Sequence, residues 1–141
     1  MILYAESSAI LSWLIGEPTS REVAAALTGA ERVVTSALTG VECARSLSRA
    51  RHQGRITRVE ELAALQLYAS REQTWYVSAL SERILVRAKA PLPNDPVRAL
   101  DALHVASALV MQEEIGPLAV LSLDARRRAS AHALGFEVLP A

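Results

Sequence analysis

Short continuous apolar runs alternate along this chain with longer stretches in which apolar residues recur every three or four positions. The short runs are Ile2-Leu3-Tyr4-Ala5, Arg32-Val33-Val34-Thr35, Thr74-Trp75-Tyr76-Val77, Leu118-Ala119-Val120-Leu121 and Phe136-Glu137-Val138. Runs this short, without strict apolar–polar alternation, predict strands buried on both faces. The stretches between them predict helices with readable ends. One runs from about Ser8 to Ile15 and stops at Gly16. A second starts at Thr19, with Glu22 completing a capping-box pattern, and reaches Gly29. Ser36 caps a long helix from Ala37 to about His52, with Leu38, Val41, Ala44 and Leu47 at helical spacing. Thr57 and Glu60 repeat the capping-box pattern for a helix ending near Ala69.

A helix opening at Ser78 or Ser81 runs through Lys89, and Pro91-Leu92-Pro93-Asn94-Asp95-Pro96 is a loop, with Asp95 a turn residue. A helix follows from about Val97 to Gln112. Asp124 caps the last one, which Gly135 ends. Five short strands, each separated from the next by helices, imply an α/β fold of three layers: a short parallel sheet covered by helices on both faces.

The length, 141 residues, suits one domain over 1–141, and no repeat or linker divides it. A hydrophobic fraction of 51% argues against disorder. No apolar run approaches the roughly 18 residues of a membrane span. The apolar N-terminus lacks a basic start and carries Glu6, so it reads as structure rather than a signal peptide. A lone cysteine, Cys43, excludes an internal disulfide and a cysteine-based zinc site, and is expected to be buried and inert. Fifteen basic residues balance fifteen acidic ones, so a generic nucleic-acid coat protein is excluded and any contact with a polyanion must be local. Fourteen of the basic residues are arginine. Lys89 is the only lysine, and Asp95, Asp101 and Asp124 are the only aspartates.

In an open parallel sheet, ligands bind beyond the carboxyl ends of the strands. Glu6 directly follows the first strand. Glu42 lies on the second turn of the helix after the second strand, and Asp124 follows the fourth strand. Asp101 opens the helix that leads into that strand. Singly, three have ordinary explanations: Asp124 as a helix cap, Glu42 paired with Arg45 or Arg49, and Asp101 paired with Arg98. Glu6 resists one, because a carboxylate at the end of a buried strand needs a partner or a metal. Together, four carboxylates in one cleft would repel one another unless a cation neutralised them. All-oxygen ligands suit Mg²⁺ or Mn²⁺ rather than zinc, and such ions chiefly serve phosphoryl chemistry. The residues thus point to phosphoester hydrolysis.

Four segments resemble the PIN domain family, specifically its VapC-type toxin ribonucleases. They are Ile2 to Ala9, Thr35-Ser36-Ala37-Leu38 through Glu42 and Arg45, Leu100-Asp101-Ala102-Leu103-His104-Val105-Ala106-Ser107-Ala108, and Val120-Leu121-Ser122-Leu123-Asp124 with Arg126. The third is the most specific, and the acid spacings of 36, 59 and 23 residues fit the pattern. The resemblance implies a cytoplasmic metal-dependent endoribonuclease in which Glu6, Glu42, Asp101 and Asp124 hold one or two Mg²⁺ or Mn²⁺. Ser7 and Ser122 would be supporting polar groups. It further implies RNA as substrate, a cognate antitoxin as partner and a homodimer. One departure stands out: the family's first acid is normally Asp, and here it is Glu6. That substitution favours an alternative, a weakened or inactive PIN-like scaffold that binds RNA or an antitoxin without cutting.

Arg126, Arg127 and Arg128 sit in the first turn of a helix, where positive charge opposes the macrodipole. That misplacement suggests another use, and together with Arg45 and Arg49 they form a candidate RNA phosphate track. His104, His52 and His132 read respectively as a packing residue and two surface residues, and Trp13 as core. A receiver-type phosphoacceptor is excluded because no Asp follows Thr74–Val77 and Lys89 is misplaced. A nucleotide-binding fold is excluded because Ser7-Ser8-Ala9 is not a glycine-rich turn.

Overall fold

A computed structural model describes residues 1–141. The elements run β1 (Ile2–Ala5), α1 (Ser7–Ile15), α2 (Ser20–Gly29), β2 (Arg32–Ser36), α3 (Ala37–His52), α4 (Arg58–Glu72), β3 (Tyr76–Ser78), α5 (Glu82–Lys89), α6 (Ala99–Ile115), β4 (Leu118–Leu121), α7 (Ala125–Ala133) and β5 (Glu137–Leu139). All five strands are parallel, in the order β3-β2-β1-β4-β5. The three-layer α/β expectation holds.

Side chains alternate across the sheet and build two cores. Leu3, Ala5, Val33, Ala119 and Leu121 join Ala9 and Ile10 of α1, Val23 of α2, Cys43 of α3 and Tyr68 of α4. Tyr4, Val34, Leu118, Val120 and Val138 face the other way, onto α6 through Ala102, Val105, Ala108 and Met111, and onto α7 through Ala131. The central strands are therefore apolar on both faces, which is why no alternating pattern shows in the sequence. Leu3 and Leu121 are completely buried, each contributing about 1.5–3 kcal/mol over exposure.

The strand order reverses between β1 and β4. Strands β1 to β3 step outward in one direction, and the crossover through α5 and α6 then carries the chain back past β1 to β4. This is the switch point of a doubly wound sheet, where the loops after β1 and β4 part to opposite faces and leave a crevice.

Local differences from the sequence pattern have physical causes. Thr19 makes no cap bond: its backbone is helical (φ −80°, ψ −4°), and its hydroxyl pairs with Ser12 Oγ at 2.7 Å instead. Thr57 and Glu60 do form the full reciprocal box, so α4 starts as expected and runs three residues beyond Ala69, to Glu72. Strand β3 starts two residues later than the run Thr74–Val77 and ends one later, since Thr74 still hydrogen-bonds back to Arg71 at the end of α4. Gly16 closes α1 at φ +69°, a conformation glycine adopts freely.

Arg128 ties the last strand to the sheet edge. Its Nη1 donates to the carbonyls of Ser122 (2.8 Å) and Leu139 (3.2 Å), and its Nη2 to that of Pro140 (2.9 Å). Arg128→Ala leaves these carbonyls without that donor and is expected to cost about 1.5–3 kcal/mol, the worth of a charged hydrogen-bond group. Urea unfolding at pH 7 measures it; a loss below about 0.5 kcal/mol, the surface-substitution range, would show that the bonds are dispensable.

Candidate metal and catalytic site

The crevice at the switch point gathers the acids. Glu6 ends β1, its amide donating to the Leu121 carbonyl of β4 at 3.0 Å, and it serves as N-cap of α1. Its carboxylate is almost fully buried. Oε1 accepts from Ser7 Oγ at 2.7 Å and from the Ser8 amide at 2.9 Å. Oε2 accepts from Ser122 Oγ at 2.7 Å and from Ser8 Oγ. Ser8 Oγ in turn accepts from the amides of Leu123 and Asp124, at 2.9 and 3.1 Å. The β1 and β4 loops are thereby stitched together through one carboxylate and three hydroxyls.

Glu42 projects from α3 and Asp101 from α6, on opposite sides of the sheet. Both reach the same point as Glu6, and that point is filled by the guanidinium of Arg127. Its Nη1 donates to Glu6 Oε1, its Nη2 to Glu42 Oε2 at 3.0 Å, and its Nε to Asp101 Oδ1 at 2.7 Å. Nη1 also donates to Ser7 Oγ at 2.8 Å. Asp124 is the exception among the four acids. Its Oδ1 caps α7, accepting from the amides of Arg126 and Arg127 at 3.0 Å each.

His104 completes the cluster one turn along α6 from Asp101. The carboxylate of Glu42 can only accept, so His104 Nε2 carries the proton donated to Glu42 Oε1. The ring's Nδ1 lies 2.9 Å from the hydroxyl of Tyr4. His104 is buried, as a packing residue would be, but both its nitrogens are engaged and one of them positions a site acid.

Burial would raise the pKa of Glu42, yet the hydrogen bond and charge of His104, with Arg127, hold it down to about 2. Burial acts the same way on Glu6, and His104, Arg127 and the hydroxyls of Ser8 and Ser7 outweigh it, so its pKa too is lowered. Burial would lower the Arg127 pKa, but the carboxylates reverse the direction and keep the guanidinium charged. Cys43 is pushed up to about 12, chiefly by desolvation, which makes it the inert thiol its sequence context suggested.

The arginines expected to track RNA separate into two groups. Arg45 and Arg49 are exposed on α3, and Arg126 is exposed at the start of α7. Arg127 and Arg128 turn inward, the first to the acids and the second to backbone carbonyls, so neither presents a free guanidinium to solvent. Glu42 and Asp101 pair with Arg127 rather than with Arg45, Arg49 or Arg98. Trp13 is half-buried, stacked at a tilt on Trp75 with Arg71 over its ring, on the α1–α4 side of the sheet. Beside Glu42 opens a cleft of ≈ 180 Å³ walled by Ser7, Ser8, Ser46, Asp124 and Arg127.

The donor set suits a hard divalent cation. Three carboxylates converge on one positive centre, and against one guanidinium they leave a formal charge of −2. As the side chains stand, no three acidic, cysteine or histidine groups are arranged to hold an ion, and the point on which Glu6, Glu42 and Asp101 converge is taken by the Arg127 guanidinium.

Comparison with known proteins places the chain. No curated protein matches it. Two solved structures share its architecture at low sequence identity. One is described as a toxin–antitoxin complex from Klebsiella pneumoniae, 16% identical, with a TM-score of 0.66 over 99% of this chain and 96% of that one. The other is VapC20 of Mycobacterium tuberculosis, described as a sarcin–ricin-loop-cleaving toxin, 16% identical, with a TM-score of 0.59 over 95% of each chain. The model of the PIN domain matches residues 3–131, a span that begins within β1, takes in β2, β3 and β4, and includes all four acids. Fold, switch-point crevice and family match agree: this chain belongs to the PIN domain family.

Proposed function

We propose that this protein is a metal-dependent endoribonuclease, the toxin of a toxin–antitoxin pair, acting on RNA in the cytoplasm. The observation that carries the reading is the convergence of Glu6, Glu42 and Asp101 from three separate elements on one buried point, with Asp124 on the wall of the adjoining cleft. Glu6, Glu42, Asp101 and Asp124 would hold one or two Mg²⁺ or Mn²⁺. Such an ion would supply Lewis-acid polarisation of a phosphate and a lowered pKa for a bound water.

The chain's own groups do the rest. His104 and Tyr4 fix the Glu42 carboxylate in its ionised, cleft-facing form. Ser7, Ser8 and Ser122 orient both oxygens of Glu6. Asp124 is the acid that the Arg127 guanidinium does not reach, its Oδ1 accepting only backbone amides, and it would serve as the acceptor of a water's proton. Arg45, Arg49 and Arg126 offer phosphate contacts around the cleft. The likeness to a toxin–antitoxin complex supports a cognate antitoxin as partner; a homodimer follows from the family resemblance.

Cleavage of end-labelled structured RNAs in Mg²⁺, Mn²⁺ or EDTA tests the reading. Cutting that EDTA abolishes and Mn²⁺ restores is the expected result; cutting that survives EDTA would overturn it. The alternative, a scaffold that binds RNA or antitoxin without cutting, draws on Glu6 and on the guanidinium at the centre of the acids. RNA binding with no turnover in either metal would favour it.

Arg126→Glu reverses charge at an exposed position, so RNA affinity at low salt should fall about 3- to 10-fold, with the loss shrinking as salt is raised. The melting temperature should hold. Fluorescence anisotropy reads the affinity, and an unchanged Kd would remove Arg126 from the RNA track.

A further inference from the structure

Arg127 makes more ionic contacts than any other residue of the chain. It stands at the third position of α7, where positive charge is disfavoured by the helix dipole. Three nitrogens of a rigid planar fork each meet a different acid, drawn from β1, α3 and α6, and the side chain is only 12% exposed. Such an arrangement neutralises acids that would otherwise repel one another, and it occupies the place where their oxygens converge.

We propose that Arg127 is a positioning residue that serves as an intramolecular counter-ion. It holds the three carboxylates convergent without metal, and a divalent ion enters only by displacing its guanidinium. The inference rests on the metal-dependent reading above and adds to it a competitor encoded in the chain itself. Displacement is a linked equilibrium. The apparent metal affinity is the intrinsic one scaled by the small fraction of molecules in which Arg127 has withdrawn. Removing the guanidinium removes that penalty. It also leaves three mutually repelling acids without their shared counter-ion, which favours an external cation, and both effects act in the same direction.

The test compares Mn²⁺ binding to wild type and Arg127→Met by calorimetry, with melting temperatures taken with and without Mn²⁺. The variant should bind Mn²⁺ at least about tenfold more tightly, as expected if the open form is a tenth or less of the wild-type population. It should melt lower than wild type without metal, and saturating Mn²⁺ should close most of that gap. Equal or weaker Mn²⁺ binding by the variant, with wild type still binding, overturns the counter-ion role and leaves the ribonuclease reading standing. No Mn²⁺ binding by either protein sinks both.

A second measurement does not depend on the variant's folding. In ¹⁵N-arginine wild type the Arg127 Nε–Hε resonance, assigned with Arg127→Lys, should be protected from exchange by Asp101 and should lose that protection in step with added Mg²⁺. A resonance that stays protected at saturating Mg²⁺ overturns the proposal.

Discussion

Glu6→Ala is expected to destabilise the protein by about 3–5 kcal/mol, the cost of breaking a buried ionic network by removing one partner. The carboxylate accepts from three serine hydroxyls, one amide and Arg127, and its removal leaves these donors without their shared acceptor at the β1–β4 seam. An exposed control, Glu113→Ala, breaks a surface pair with Arg83 and should change stability by no more than about 1 kcal/mol. Urea unfolding of the three proteins at pH 7 gives the comparison. A loss below about 1 kcal/mol for Glu6→Ala, the surface-pair range, would mean that the network orients groups without holding the sheet edge together.

The same network sets an acid limit. Glu6 and Glu42 are both held below the ordinary 4.5, Glu42 at about 2, so their contribution is complete above about pH 4.5 and is lost in acid, that of Glu42 as pH falls toward 2. Glu6→Gln should flatten the stability profile across that window, because one of the two linked protonations is removed.

The largest expected effect on activity is that of Asp101→Asn, a near-isosteric change that keeps an acceptor for Arg127 Nε but removes the charge. If Asp101 is a metal ligand, cleavage in Mg²⁺ should fall at least about 100-fold, beyond the 10–100-fold typical of groups that merely support ligands. The protein should remain folded, since the shape and one hydrogen bond are kept. Initial rates on one structured RNA substrate, with circular dichroism as the folding check, decide it. A rate within about threefold of wild type would take Asp101 out of the site, because even a supporting group should cost more.

Much of this was legible in the chain before its structure. The strand runs Ile2–Ala5 and Leu118–Leu121 were found at their observed bounds, because strands buried on both faces are continuous apolar runs flanked by chain-turning residues. The four acids were legible because a carboxylate just past a buried strand, as Glu6 is, has few ordinary explanations. The convergence of Glu6, Glu42 and Asp101, however, depends on α3 and α6 packing on opposite faces of the sheet, and no local pattern encodes that.

Arg127 was the least legible residue. The three arginines at 126–128 looked alike as misplaced charge in a first turn. Their destinations are separated by the helical rotation of about 100° per residue, which sends Arg126 to solvent, Arg127 to the acids and Arg128 to the β5 carbonyls. The one available signal was electrostatic: a cluster of acids calls for a cation, and the chain supplies one three residues after its last acid. His104 was similarly hidden, since one histidine in an apolar helix carries no mark of its partner. Only the fold brings Glu42 to its Nε2.

The central claim is that these carboxylates hold a divalent ion. Its most direct test is a Mn²⁺ titration followed by the electron paramagnetic resonance signal of free Mn²⁺, run on wild type and Asp101→Asn. Wild type should bind one or two equivalents, and the variant should bind at least about tenfold more weakly, the least a lost ligand should cost. Binding of equal strength in both proteins, or none in wild type, would contradict it.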